Sequence, residues 1–177
     1  MRLLAPALRA VAGRQVVMLQ PPHPPQALGL AAIGLDPAAA LWLRASKTAD
    51  ALWAAEQVLR SASVGALIFW QTQVRPESLR RLSLAAQAGE TLFFMMRPLA
   101  AAQDPSPAAL RLALRPQAGG IDIEFVKRRG PQRDEQLFLP MTIGAASRFL
   151  HHRDVAPAYP TAPVHVKTSR NPTAETA

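Results

Sequence analysis

Four short runs, Val16-Val17-Met18-Leu19, Leu41-Trp42-Leu43-Arg44, Ala66-Leu67-Ile68-Phe69-Trp70 and Thr91-Leu92-Phe93-Phe94-Met95-Met96, are apolar but for one terminal residue, Arg44 in the second and Thr91 in the fourth. A strand with one wet face shows a polar residue at every second position, so runs of this kind read as strands covered on both faces. A stretch with helical spacing precedes each of them. Leu3, Leu4, Ala7, Leu8 and Val11 share one face, and Gln26 to Gly34 forms a second helix candidate. Leu52, Glu56 and Leu59 form a stripe within Ala49 to Arg60, widened by Trp53 and Val58, and Leu79, Leu82 and Ala86 recur at core spacing. Helices alternating with continuously apolar strands predict a parallel sheet with helices on both sides.

The punctuation agrees with this order. Gly13 breaks the first helix, and Pro21-Pro22-His23-Pro24-Pro25 forces a loop because proline lacks the N–H a ladder needs. Ser46 or Thr48 is the expected cap of the third helix, and Pro76 suits the first turn of the fourth. The pattern changes after the loop around Pro98 to Pro107. Leu110 to Arg115 and Ile121 to Phe125 alternate at period two on either side of Pro116 to Gly120, which predicts an antiparallel hairpin, with a last strand over Leu137 to Ile143. From about Ala145 the Pro, Thr, Ala and His residues show no periodicity, so the expected division is one domain over 1–144 and a disordered basic, Pro-rich tail over 145–177.

The totals narrow the class. A chain of 177 residues with 49% hydrophobic and 18% charged residues can build one ordinary core. It has no cysteine, which excludes disulfides, thiolate metal sites and a cysteine nucleophile, and fits a cytoplasmic location. The net charge of +8 favours acidic partners, although an Ala-, Arg- and Pro-rich composition also raises charge for genomic reasons. No apolar run reaches the ~20 residues that cross a bilayer, so no membrane partner is expected. Arg9 and Arg14 interrupt the N-terminal apolar stretch too early for a secretory core.

Several segments taken in order resemble the ImuA family, the RecA/SulA-like accessory proteins of bacterial translesion synthesis. They are Ala51 to Ser61, Arg80 to Gln87 running on to Phe93-Phe94-Met95-Met96-Arg97-Pro98-Leu99, Pro105 to Leu114, and Val126-Lys127-Arg128-Arg129-Gly130-Pro131. The resemblance implies an α/β, RecA-like three-layer fold with a mostly parallel central sheet and an antiparallel C-terminal extension. It also implies an adaptor in the SOS DNA-damage response, with three partners: an ImuB-like inactive Y-family polymerase, RecA and an error-prone replicative-type polymerase. SulA, an inhibitor that caps the division protein FtsZ, shares this sheet, so a SulA-like inhibitor is the alternative.

Hydrolytic chemistry is not expected. No Gly-x-x-x-x-Gly-Lys-Ser/Thr loop occurs, and the chain starts at what resembles the helix after that loop. The first strand and loop are therefore expected upstream of Met1, which leaves an ATP-binding protein with a shortened gene model as a further alternative. Loss of that strand would bare a sheet edge and predicts poor solubility in isolation. Within the chain, the strand ending at Trp70-Gln71 lacks an acidic residue to hold magnesium, and Gln20-Pro21-Pro22 stands where a water-activating Glu would follow Leu19. Catalytic residues, cofactor-binding residues and metal ligands are all expected to be none.

His23, His151, His152 and His165 lack a carboxylate or cysteine at ligand spacing and read as loop and tail residues. Asp122 and Glu124 read as a solvated strand face, and Gln136-Leu137-Phe138-Leu139 reads as an edge strand before it reads as a clamp-docking peptide. The candidate site is a basic patch of Arg111, Arg115, Lys127, Arg128, Arg129 and Arg133, suited to phosphates of DNA or to an acidic protein partner. Without interleaved aromatic residues it is poorly suited to stacking on single-stranded bases.

Overall fold

The computed structural model describes residues 1–131 and 136–141. A 3-10 turn, Arg2–Leu4, leads into α1 (Ala5–Ala10), followed by β1 (Val16–Leu19), α2 (Ala27–Ala32), β2 (Ala40–Leu43), α3 (Thr48–Ser61), β3 (Ala66–Trp70), α4 (Pro76–Gln87) and β4 (Leu92–Met96). These strands form one parallel sheet in the order β2-β1-β3-β4. The inner strands carry the continuous burial their composition predicts. Every residue of β1 is buried, and Ala66, Leu67, Ile68 and Phe69 of β3 are fully enclosed.

Period-two geometry sorts these residues between two cores. Val17, Leu19, Leu67 and Phe69 face Ala51, Ala55 and Leu59 of α3 and Leu82 and Ala85 of α4. Val16, Met18, Ala66 and Ile68 face the opposite way, onto Ala5 and Leu8 of α1, Leu30 of α2, and Ile33 and Leu35. The result is three layers, helices–sheet–helices, as the sequence predicts. Truncating a fully enclosed ring such as Phe69 to Ala in a core of this kind costs about 3–5 kcal/mol.

Three local expectations are corrected. Neither Ser46 nor Thr48 caps α3: Lys47 holds the N-cap position without a side-chain bond, and the Thr48 hydroxyl instead accepts from Gln71 at 3.3 Å. Trp53 does not widen the apolar face but stands 63% exposed, because it lies off the arc that Ala51, Ala55 and Leu59 turn to the sheet. The Leu92 to Met96 run is half-buried rather than enclosed, since β4 closes one edge of the sheet and has a strand on one side only.

A polar residue on the core stripe has its own explanation. Glu56 is buried between α3 and α4, and its two carboxylate oxygens accept from Arg60 on its own helix (2.8 Å) and from Arg81 on α4. Burying a carboxylate is costly unless it is paired, and two guanidinium groups supply the pairing. The acid thus joins the two helices that cover this face.

A 3-10 segment, Leu99–Gln103, then leads to a second sheet of β5 (Arg111–Gln117), β6 (Gly120–Lys127) and β7 (Leu137–Pro140), antiparallel in the order β5-β6-β7. The hairpin between β5 and β6 turns through Ala118 and Gly119, with Gly119 at φ 76°, a conformation glycine adopts without steric cost. Of the strand expected over Leu137 to Ile143, the portion Leu137–Pro140 is present, and residues 142 and 143 lie outside the described residues. The proposed tail over 145–177 and its boundary at 144 also lie outside them.

Candidate binding surfaces

In a parallel sheet, ligands and catalytic groups gather beyond the carboxyl ends of the strands, where the chain reverses its winding direction. Here that point lies between β1 and β3, because α2 leaves β1 onto one face of the sheet while α3 enters β3 from the other. Gln20 follows β1 in the left-handed region, at φ 57°. Its side-chain amide donates to the Ala45 carbonyl at 2.7 Å and accepts from the Ala45 N–H at 3.3 Å. Its backbone N–H donates to Leu43 at 2.9 Å. The residue standing in the position of a water-activating Glu is therefore a clamp on the chain leaving β2. Beyond β3, the Gln71 side chain donates to Thr48 and, at 3.4 Å, to the Gln73 carbonyl, while its backbone N–H extends the ladder to Met96. Both positions are occupied by amides engaged in holding neighbouring segments.

Five of the six residues of the basic patch are described, and they differ in what they bond. Arg111 is turned inward, and its guanidinium donates to the carbonyls of Asp104 (2.8 Å), Ala101 (3.0 Å) and Ala102 (2.9 Å). It thereby ties the start of β5 to the end of the 3-10 segment, adding to the Ala101 carbonyl a second donor beside the Asp104 N–H (3.2 Å). Arg115 lies opposite Asp122 in the register and pairs with Glu124, two residues along the same strand. Lys127 donates to the Ser106 carbonyl at 3.0 Å. Arg133 lies outside the described residues. Three of the six expected cations are thus engaged within the fold.

Arg128 and Arg129 remain. Among the described residues neither pairs with a carboxylate. The Arg128 guanidinium lies over the Phe125 ring at 5.8 Å, and its Nε donates weakly to the Arg129 carbonyl at 3.4 Å. Together with Ala109, Leu110 and Phe125, the two arginines line an open groove of about 550 Å³. An irregularity in the register positions them: Arg111 pairs with Lys127 but Leu112 with Phe125, so β6 carries one extra residue at Val126. Such a bulge bends the strand and re-aims the side chains beyond it. The sequence names both arginines but not the groove, whose Leu110 and Phe125 it places in the hairpin strands.

A separate surface lies on the opposite edge of the parallel sheet. β2 has a partner on one side only, and Leu41 and Trp42 are 43% and 42% exposed. The Arg44 guanidinium stacks on the Trp42 ring at 5.6 Å. An edge strand offers unpaired backbone groups, and large apolar side chains beside them suit a protein contact.

Among the described residues no helix is long and apolar enough to cross a membrane, and no group of three or more His, Cys, Asp or Glu side chains is arranged to hold a metal ion. No family model matches the chain. The crystal structure of SulA from Pseudomonas aeruginosa is similar at 26% identity, covering 54% of this chain and 85% of that one with a TM-score of 0.44. The cell division inhibitor SulA of Edwardsiella piscicida is 32% identical over 113 residues, 60% of this chain. Since that similarity spans 67% of the relative's own length, the chain belongs to the family of the cell division inhibitor SulA.

Proposed function

We propose that this chain is an SOS-associated inhibitor of cell division that acts by binding FtsZ, without chemistry of its own. The observation that carries this reading is the 32% identity to a cell division inhibitor. The fold supports it in two ways. The strand ends where a RecA-type ATPase places its acidic groups hold amides locked onto neighbouring segments, so the scaffold is built for rigidity at that point. The open β2 edge, with Leu41 and Trp42 exposed, offers the kind of surface a protein partner covers. The test is sedimentation of polymerised FtsZ from the same organism in the presence of the purified full chain. Roughly stoichiometric chain should leave FtsZ in the supernatant, and undiminished polymer at a several-fold excess of chain rules the proposal out.

A second reading is the translesion accessory role, with an ImuB-like inactive polymerase, RecA and an error-prone polymerase as partners. It is favoured by the Val126–Pro131 segment, whose likeness to ImuA proteins coincides with the bulged end of β6 and with Arg128 and Arg129, which pair with no carboxylate among the described residues. Affinity purification of the tagged chain from DNA-damaged cells separates the two. FtsZ among the co-purifying proteins supports the inhibitor, and a Y-family polymerase homologue supports the accessory role.

A further inference from the structure

We infer that the groove beside the bulged end of β6 is a docking site for an acidic peptide segment that carries an apolar side chain. The inference goes beyond the FtsZ reading and does not depend on it. The floor of the groove is apolar: Leu110 is 55% exposed, and Ala109 and the edge of Phe125 continue the surface. Its rim is cationic, formed by Arg128 and Arg129, and among the described residues no carboxylate lines it. A partner that matches both parts presents an aliphatic or aromatic side chain to the floor and carboxylates to the rim. Arginine's planar fork then holds each carboxylate through two parallel N–H···O bonds.

The same residues argue against nucleic acid as the occupant. A phosphate backbone needs cations repeated along a track. Here Arg111, Arg115 and Lys127, which would extend the track along the hairpin, are bonded to Ala101, Glu124 and Ser106 respectively. Base stacking needs an uncovered ring face, and one face of Phe125, the aromatic ring of the groove, is taken by the Arg128 guanidinium. The docked peptide also leaves that pair intact, because a guanidinium can stack on a ring and still donate from its edge.

Fluorescence anisotropy of the full chain with three labelled probes tests the assignment. The first is a short peptide of glutamates and aspartates around a Leu-Phe pair, the second the same peptide with that pair replaced by Ser-Ser, and the third a thymidine oligonucleotide of equal charge. The first probe should bind at least about tenfold more tightly than either other probe. The double substitution R128A/R129A and the separate Leu110→Ser change should each weaken it about tenfold, with the melting temperature unchanged because these side chains are largely at the surface. Equal binding of the Ser-Ser peptide, tighter binding of the oligonucleotide, or no loss on either substitution would overturn the assignment.

Discussion

Glu56 illustrates how one residue can contradict the sequence pattern and still be essential to it. By spacing it belongs to the core stripe of α3, and by chemistry it belongs in water. The structure reconciles the two by bringing Arg60 and Arg81 to its two oxygens. The guanidinium groups are about two-thirds exposed and the carboxylate is nearly enclosed, so the partners are not energetically equivalent. Removing both arginines leaves a buried charge unpaired, at a cost of about 3 kcal/mol. Replacing Glu56 by Gln removes the charge and frees the arginines to solvent, at a cost of about 1 kcal/mol. Urea melts of R60A/R81A and E56Q should rank in that order, and the reverse order would show that the carboxylate is not the constrained partner. Gln20 makes a second residue-scale case. Gln20→Ala loses both bonds to Ala45 and keeps the unfavourable positive φ, so thermal melts should show it destabilised by about 1–2 kcal/mol. A melting temperature equal to that of the parent would show that the clamp contributes nothing to stability.

At the scale of elements, the parallel strands were legible because enclosure on both faces imposes a composition that few other environments tolerate. Val16–Leu19 and Ala66–Trp70 appear in the structure within the bounds their apolar runs set. What was not legible was sheet order, and with it the difference between a central strand and an edge. Leu92–Met96 is as apolar as Ala66–Trp70, yet one is half-exposed and the other enclosed, because β4 ends the sheet. The in-fold partners of Arg111, Arg115 and Lys127 were not legible for a related reason. Sequence proximity placed Arg111 and Arg115 beside Lys127, but their partners depend on the strand register and on where the 3-10 segment leaves its carbonyls. The bulge at Val126, which separates Arg128 and Arg129 from the rest, has no signature in the residues around it. The second sheet depends on Gly120 in turn, since a methyl group there would collide with the Leu139 carbonyl and the Phe138 ring on β7. Gly120→Ala should therefore release β7 while sparing the parallel sheet. Hydrogen exchange should show faster exchange for amides of β7 with β1 and β3 unchanged, and protection retained in β7 would contradict that packing.

The whole molecule combines a three-layer core with two surfaces left open among the described residues: the β2 edge and the groove on the antiparallel sheet. Under the proposed inhibition of cell division, the β2 edge is the surface offered to the partner. Trp42→Ala removes the largest exposed side chain of that edge, where it meets solvent and Arg44 rather than the core. It should weaken inhibition of FtsZ polymerisation about tenfold or more, as truncation of an aromatic anchor does at other interfaces, with the fold's stability unchanged within about 0.5 kcal/mol. Unaltered inhibition would move the contact elsewhere on the molecule. The most direct test of the central claim is cell length after induced expression of the full chain in its own host, with expression level checked alongside. Division arrest with continued growth, seen as cells several times their normal length, is the predicted result. Cells of normal length at full accumulation of the protein would contradict it.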